Sequence, residues 1–132
     1  LKAPHIAVID DDDSVREAMR SLIGVLGYSV EAFASAEAFL QSDRLQVTDC
    51  VITDVQMPGM SGVELQRLLS ARNHRAPVIF VTAYPDESMR ARVIRDGAVG
   101  YLSKPLREES LLDCLDKALH PRGPGAADPK FA

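Results

Sequence analysis

Five short apolar runs constrain this chain more than anything else in it. They are Ile6-Ala7-Val8-Ile9, Tyr28 to Phe33, Asp49 to Thr53, Pro77-Val78-Ile79-Phe80-Val81-Thr82 and Val99 to Ser103. Each has the length and the β-branched content of a strand. A run such as Val78-Ile79-Phe80-Val81 is apolar on both faces, so its strand has to be covered on both sides.

Segments with helical periodicity separate the runs. Val15, Ala18, Met19, Leu22, Ile23 and Leu26 form the first apolar stripe. The capping box Ser14-Val15-Arg16-Glu17 predicts that this helix starts at Ser14, and Gly27 ends it. Ser35 caps a short second helix carrying Ala36, Phe39 and Leu40. A second capping box, Ser61-Gly62-Val63-Glu64, opens a third helix with Leu65, Leu68 and Leu69 on its apolar side. A fourth helix is expected from Asp86 to Asp96, with Gly97 as its cap and a thin stripe of Met89, Val93 and Ile94. Leu111, Leu112, Leu115, Ala118 and Leu119 mark a fifth, stopped by Pro121.

Strand and helix thus alternate five times, which implies an α/β protein with a parallel five-stranded sheet. Right-handed crossovers leave few topologies. The best fit is the (βα)5 doubly wound, flavodoxin-like order 2-1-3-4-5. In that order the first and third strands are neighbours, and ligands bind at the carboxyl ends of such strands.

With 132 residues the chain suits one domain, expected over 1–120. The Pro/Gly/Ala-rich stretch at 121–132 reads as a flexible tail or a linker cut short. No apolar run is long enough to span a bilayer, and Leu1-Lys2-Ala3-Pro4-His5 has no signal-peptide pattern, so a cytoplasmic location is expected. A net charge of −4 argues against the domain itself gripping nucleic acid. Cys50 and Cys114 lie in apolar surroundings and read as reduced, buried thiols.

The chemistry gathers at the ends of the strands. Val51-Ile52-Thr53 ends in Asp54, followed by the Pro/Gly-rich loop Val55-Gln56-Met57-Pro58-Gly59-Met60. Taken alone, Asp54 could simply open a turn. The first strand, however, also ends in acids, Asp10-Asp11-Asp12-Asp13. Three converging carboxylates repel one another, and a divalent cation would offset that. Mg²⁺ favours one or two carboxylates, a carbonyl and waters. Asp11 and Asp54 could supply the carboxylates, and the backbone carbonyl of Gln56 could complete the protein ligands. Asp12 and Asp13 are expected to face solvent. The fifth strand ends at Lys104-Pro105, where a compact ammonium can reach a phosphoryl or carboxylate oxygen. A cis Lys104–Pro105 bond would aim it inward. The Thr82 hydroxyl, at the end of the fourth strand, can donate to an anion.

As a set, Asp10-Asp11, Asp54 with Met57-Pro58 and Ser61-Gly62, Val81-Thr82-Ala83, and Lys104-Pro105 with Tyr101 resemble the receiver domain of two-component response regulators. The likeness spans residues 5–120. It implies that Asp54 accepts a phosphoryl group from a phosphohistidine on a sensor histidine kinase, and that Asp10, Asp11 and Asp54 hold Mg²⁺. It further implies that Thr82 and Lys104 contact the phosphoryl oxygens. Thr82 and Tyr101 would relay the state to the face built from the fourth helix, fifth strand and last helix, with Tyr101 turning inward. Such a domain is a signalling phosphoacceptor with self-catalysed phosphoryl uptake and loss, not an enzyme with turnover. Phe33 to Leu40 and Met60 to Leu65 look like the FixJ-type subgroup. That implies a LuxR-type DNA-binding output domain in a longer parent chain and transcriptional control; the switched face would allow homodimerisation or docking of an output domain.

There are two departures from the family pattern. Leu106 stands where Phe is commoner, and Gln56 occupies the variable position bordering the water's approach. Two other readings share these residues. A Mg²⁺-dependent phosphatase of the haloacid-dehalogenase kind would want a second acid two residues after Asp54, where this chain has Gln56. A non-phosphorylated interaction module on the same fold would not need the intact acid, Thr and Lys set.

Overall fold

The computed structural model describes residues 3–120. The tail expected over 121–132 lies outside them. Five strands alternate with five α-helices: β1 His5–Ile9, α1 Asp13–Val25, β2 Ser29–Phe33, α2 Ala36–Leu40, β3 Cys50–Asp54, α3 Gly62–Ala71, β4 Val78–Thr82, α4 Glu87–Arg95, β5 Gly100–Ser103 and α5 Glu108–Leu119. A 3-10 turn, Leu45–Val47, precedes β3. The strands form one parallel sheet in the order β2-β1-β3-β4-β5, as expected for the flavodoxin-like arrangement. β1 and β3 pair in register from Ile6↔Cys50 to Ile9↔Thr53, which brings their carboxyl ends side by side.

The period-two alternation of the strands divides the interior into two layers. Ala7, Ile9, Val51, Val78 and Phe80 point to the side covered by α2, α3 and α4. Ile6, Val8, Cys50, Ile52, Ile79 and Val81 point to the side covered by α1 and α5. Phe80 and Ile79 are fully buried, one on each side. Each such side chain contributes about 1.5–3 kcal/mol relative to exposure. Cys50 and Cys114 are free thiols in the second layer. Burial pushes the Cys50 thiol up to about 12 and raises that of Cys114 as well.

The first helix starts one residue earlier than its Ser14 capping box predicts. Asp12 is the N-cap: its backbone is extended and its carboxylate accepts the Val15 N–H at 3.1 Å. Ser14 already lies inside the first turn and has no orphan amide to satisfy. Asp12 and Asp13 are exposed, as expected, and Asp13 pairs with Arg16. The second capping box forms as read, with Ser61 and Glu64 each accepting the other's backbone N–H.

Two leucine-like positions fall off the buried stripes. Ile94 is 41% exposed and Leu112 is 42% exposed. Each follows a residue that is fully buried, Val93 and Leu111, and one step along a helix turns the side chain about 100° away. In α5 the vacated place belongs to Cys114. In α4 it leaves Val93 as the one buried side chain. A hydrogen bond supplements it: Gln66 of α3 donates from Nε2 to the Val93 carbonyl at 3.1 Å, in a buried setting.

Candidate functional site at the carboxyl edge of the sheet

Asp10, immediately after β1, is 0% exposed. Three bonds hold it. Its N–H donates to the Phe33 carbonyl at 3.1 Å, its own carbonyl accepts from Arg16 Nη1 at 2.7 Å, and Oδ1 accepts the Asp12 N–H at 2.9 Å. Among the described residues Asp10 Oδ2 finds no hydrogen-bond partner, and it lies 2.9 Å from Lys104 Nζ as an ion pair. A buried carboxylate oxygen with only that partner is costly unless more positive charge is near.

Asp54 closes β3, with its side chain 13% exposed. Lys104 Nζ donates to its Oδ2 at 2.8 Å, and the Gln56 N–H donates to Oδ1 at a long 3.3 Å. Behind it, α3 begins in contact with the strand end. A Cβ at Gly62 would lie 2.0 Å from the Asp54 carbonyl oxygen, so only glycine allows this approach. Asp11 is exposed and completes the acidic group. One oxygen each from Asp10, Asp11 and Asp54 lies within 4.8 Å of the others.

Lys104 bridges buried Asp10 and part-buried Asp54. Its own N–H donates to the Thr82 carbonyl at 2.8 Å, tying the end of β5 to β4, and the Lys104–Pro105 bond, whose isomer the sequence leaves open, is cis. Burial alone would lower the ammonium pKa. The hydrogen bond to Asp54 and the charges of Asp10 and Asp54 outweigh it and hold the group above the ordinary lysine range.

Thr82 is buried at the end of β4 and its Oγ1 accepts the Tyr84 N–H at 3.1 Å. That bond uses a lone pair and leaves the hydroxyl proton available to a ligand. Tyr101 is already inward: its ring is buried and its hydroxyl accepts the Asp86 N–H at 3.1 Å. The expected inward turn is therefore not a motion left for this side chain to make, because Asp86, the N-cap of α4, offers it a donor in this state. A cavity of about 300 Å³ is lined in part by Asp54, Gln56, Thr82, Met89 and Tyr101 together.

The sequence-predicted residues thus converge at one edge. Lys104 contacts Asp10 and Asp54 directly, Asp11 has an oxygen within 4.8 Å of both acids, the Gln56 N–H reaches Asp54, and Thr82 and Tyr101 line one cavity with Asp54. Arg16 and Asp12 were missed as supports. Asp12 could have been found from the strong N-cap preference of Asp, whereas no sequence signal marks Arg16 as the donor to the Asp10 carbonyl. The donor set is all oxygen, with a buried carboxylate oxygen short of partners, and so fits a hard divalent cation of the Mg²⁺ kind.

Residues 6–116 match the response regulator receiver domain, and the chain belongs to that family. It is 42% identical over 118 residues to response regulator protein TodT of Pseudomonas putida, covering 89% of this chain and 52% of TodT. It is 33% identical over 122 residues to transcriptional regulatory protein FixJ of Bradyrhizobium diazoefficiens, covering 92% of this chain and 60% of FixJ. The solved structure of response regulator StyR superposes with a TM-score of 0.81 at 42% identity, over 89% of this chain and 60% of StyR. The chain spans about half the length of the curated relatives it matches. Among the described residues, no helix is long and apolar enough to cross a membrane.

Proposed function

We propose that this domain takes a phosphoryl group onto Asp54 from a phosphohistidine of a sensor histidine kinase. The observation that carries the reading is the Lys104 ammonium held 2.8 Å from Asp54 and 2.9 Å from Asp10, beside a third acid. A carboxylate oxygen of Asp54 attacks phosphorus, the P–N bond to the donor imidazole breaks, and the departing nitrogen takes up a proton. Asp54 is a suitable nucleophile because β3 and the Gly62 contact fix its backbone while its carboxylate reaches the surface. Lys104 neutralises charge on the arriving phosphoryl oxygens, and Thr82 donates its free hydroxyl proton to one of them. Asp10, Asp11, Asp54 and the Gln56 carbonyl would hold Mg²⁺, which when bound supplies the remaining positive charge for both the carboxylates and the phosphoryl group. The phosphatase reading gains no support, since the residue two after Asp54 is the exposed Gln56.

The signal leaves through the β4–α4 segment. Drawing the Thr82 hydroxyl toward a phosphoryl oxygen disturbs the bond to Tyr84 N–H, and two residues on Asp86 caps α4 while Tyr101 holds its amide. α4 then shifts the face it forms with β5 and α5, allowing homodimerisation or docking of an output domain. In this reading residues 1–120 are the receiver and 121–132 lead to a DNA-binding domain of a longer cytoplasmic transcription regulator. That FixJ is a transcriptional regulatory protein and that the chain spans only part of FixJ and TodT support it. Intact mass after treatment with acetyl phosphate and Mg²⁺ tests the centre of the proposal. One phosphoryl group is expected on the parent and none on Asp54→Asn; equal labelling of the two would overturn the assignment.

A further inference from the structure

The loop after Asp54 has to hold the Gln56 carbonyl steady with neither strand nor helix of its own. Its base is closed by Gly62 N–H donating to the Val55 carbonyl at 3.0 Å, and buried Val55 and Met57 pin its near half. The far half is different. Pro58 and Gly59 are exposed and Met60 is half-buried. One side chain from a distant element reaches it: Glu37 Oε2 accepts the Met60 N–H at 2.9 Å across 23 residues.

Glu37 is well placed for this and, among the described residues, makes no other hydrogen bond or ion pair. It stands on α2, half-buried, between Ala36 and Phe39, both fully buried in the layer under α2 to α4. Its own helix is capped by Ser35, whose hydroxyl accepts the Ala38 N–H. The loop is shaped to receive the carboxylate. Gly59 has φ +75°, and a Cβ there would lie 2.6 Å from Glu37 Oε2. Glycine is therefore required twice, for its dihedral and for the space the carboxylate occupies. A hydrogen bond from an amide to an ionised carboxylate is about twice as strong as a neutral one.

We propose that Glu37 is a positioning residue for the cation site: by clamping Met60 N–H it fixes the loop that presents the Gln56 carbonyl beside Asp10, Asp11 and Asp54. The inference rests on the reading that these residues hold Mg²⁺. Glu37 itself touches neither the cation nor the phosphoryl group. Because the clamp sits at the surface end of the loop, its loss frees the loop more than it unfolds the domain.

The test is calorimetric titration of the unphosphorylated protein with Mg²⁺, beside amide exchange of Met60 without metal. Outer-shell partners of metal ligands are typically worth 10–100-fold in affinity, and Glu37 acts one step further out, so Glu37→Ala is expected to weaken Mg²⁺ binding by about 5–10-fold. Exchange at Met60 should quicken in the metal-free variant. Glu37→Gln keeps an acceptor oxygen without the charge and should restore both readings to within about twofold of the parent. Glu37→Ala binding Mg²⁺ like the parent overturns the inference, and so does Glu37→Gln behaving like Glu37→Ala, which would make the effect one of charge and not of the clamp. Asp11→Ala in the same titration separates the two levels. If Asp11→Ala binds like the parent, the acidic site itself fails; if it weakens binding while Glu37→Ala does not, only the clamp fails.

Discussion

Replacing Lys104 by methionine isolates the electrostatics of the site, because methionine keeps most of the apolar stem and deletes the ammonium. Two ion pairs are lost, at 2.8 Å to Asp54 and 2.9 Å to Asp10. With an effective dielectric near 20, each is worth about 6 kcal/mol of gross attraction. Most of that only repays taking the ammonium out of water. Breaking a buried pair by removing one partner costs about 3–5 kcal/mol. The lysine and Asp54 side chains keep 16% and 13% exposure, which admits some solvent relief, so about 2 kcal/mol is expected at pH 7 without metal. For a domain of this size that is a fall in Tm of about 8 °C. Urea unfolding with and without Mg²⁺ provides the assay, and added Mg²⁺ should narrow the gap by supplying charge to the same acids. The pH dependence gives a second check. The folded Lys104 is held above the ordinary lysine value of 10.5, so its contribution is fully present below that pH and is lost as pH rises through the folded value. The difference between parent and Lys104→Met should therefore be flat through neutral pH and shrink above pH 10.5. A variant as stable as the parent at pH 7, or a gap that stays constant into alkali, would refute the reasoning.

Three further outcomes follow from single contacts. Asp12→Ala should cost about 1 kcal/mol of unfolding free energy by urea titration while Ser14→Ala changes little, since the cap is the aspartate. The Ser61 bonds hold the exposed Glu64 carboxyl below its usual value of 4.5, so its stabilisation is present above that pH and lost as pH falls through the lower folded value; parent and Glu64→Gln melting curves should converge on acidification. Tyr101→Phe removes the acceptor of the Asp86 N–H, and amide exchange over residues 87–95 should quicken by about fivefold, corresponding to one net hydrogen bond of about 1 kcal/mol.

The sheet and its site were legible because they depend on residue type at strand ends. A buried run that stops at a carboxylate or a lysine fixes where that group emerges, and β1 and β3 can be placed side by side from connectivity alone. What escaped depends on phase or on distant partners. Four consecutive acids and a serine all suit a helix cap, and Asp12 wins because its N–H is already tied to Asp10 Oδ1. Val93 and Ile94, like Leu111 and Leu112, are neighbours of equal hydropathy, so the sequence marks the stripe but not which of the two faces inward. Tyr101 reads as half-buried until the Asp86 amide is seen to meet its hydroxyl. Glu37 carries no local signature at all, since its partner is a backbone group 23 residues away.

The two side-chain layers are insulated from each other by the sheet, and the carboxyl edge is where the insulation ends. Asp10 is braced from the α1 side by Arg16, while Asp54 is pressed from the α3 side by Gly62. Lys104, on the way to α5, stitches these two acids together. The edge is thus a seam joining two otherwise separate interiors. A change of charge at Asp54 acts on the stitch and is felt by both at once, whereas a substitution deep in either layer has to cross the strand backbones to reach the other.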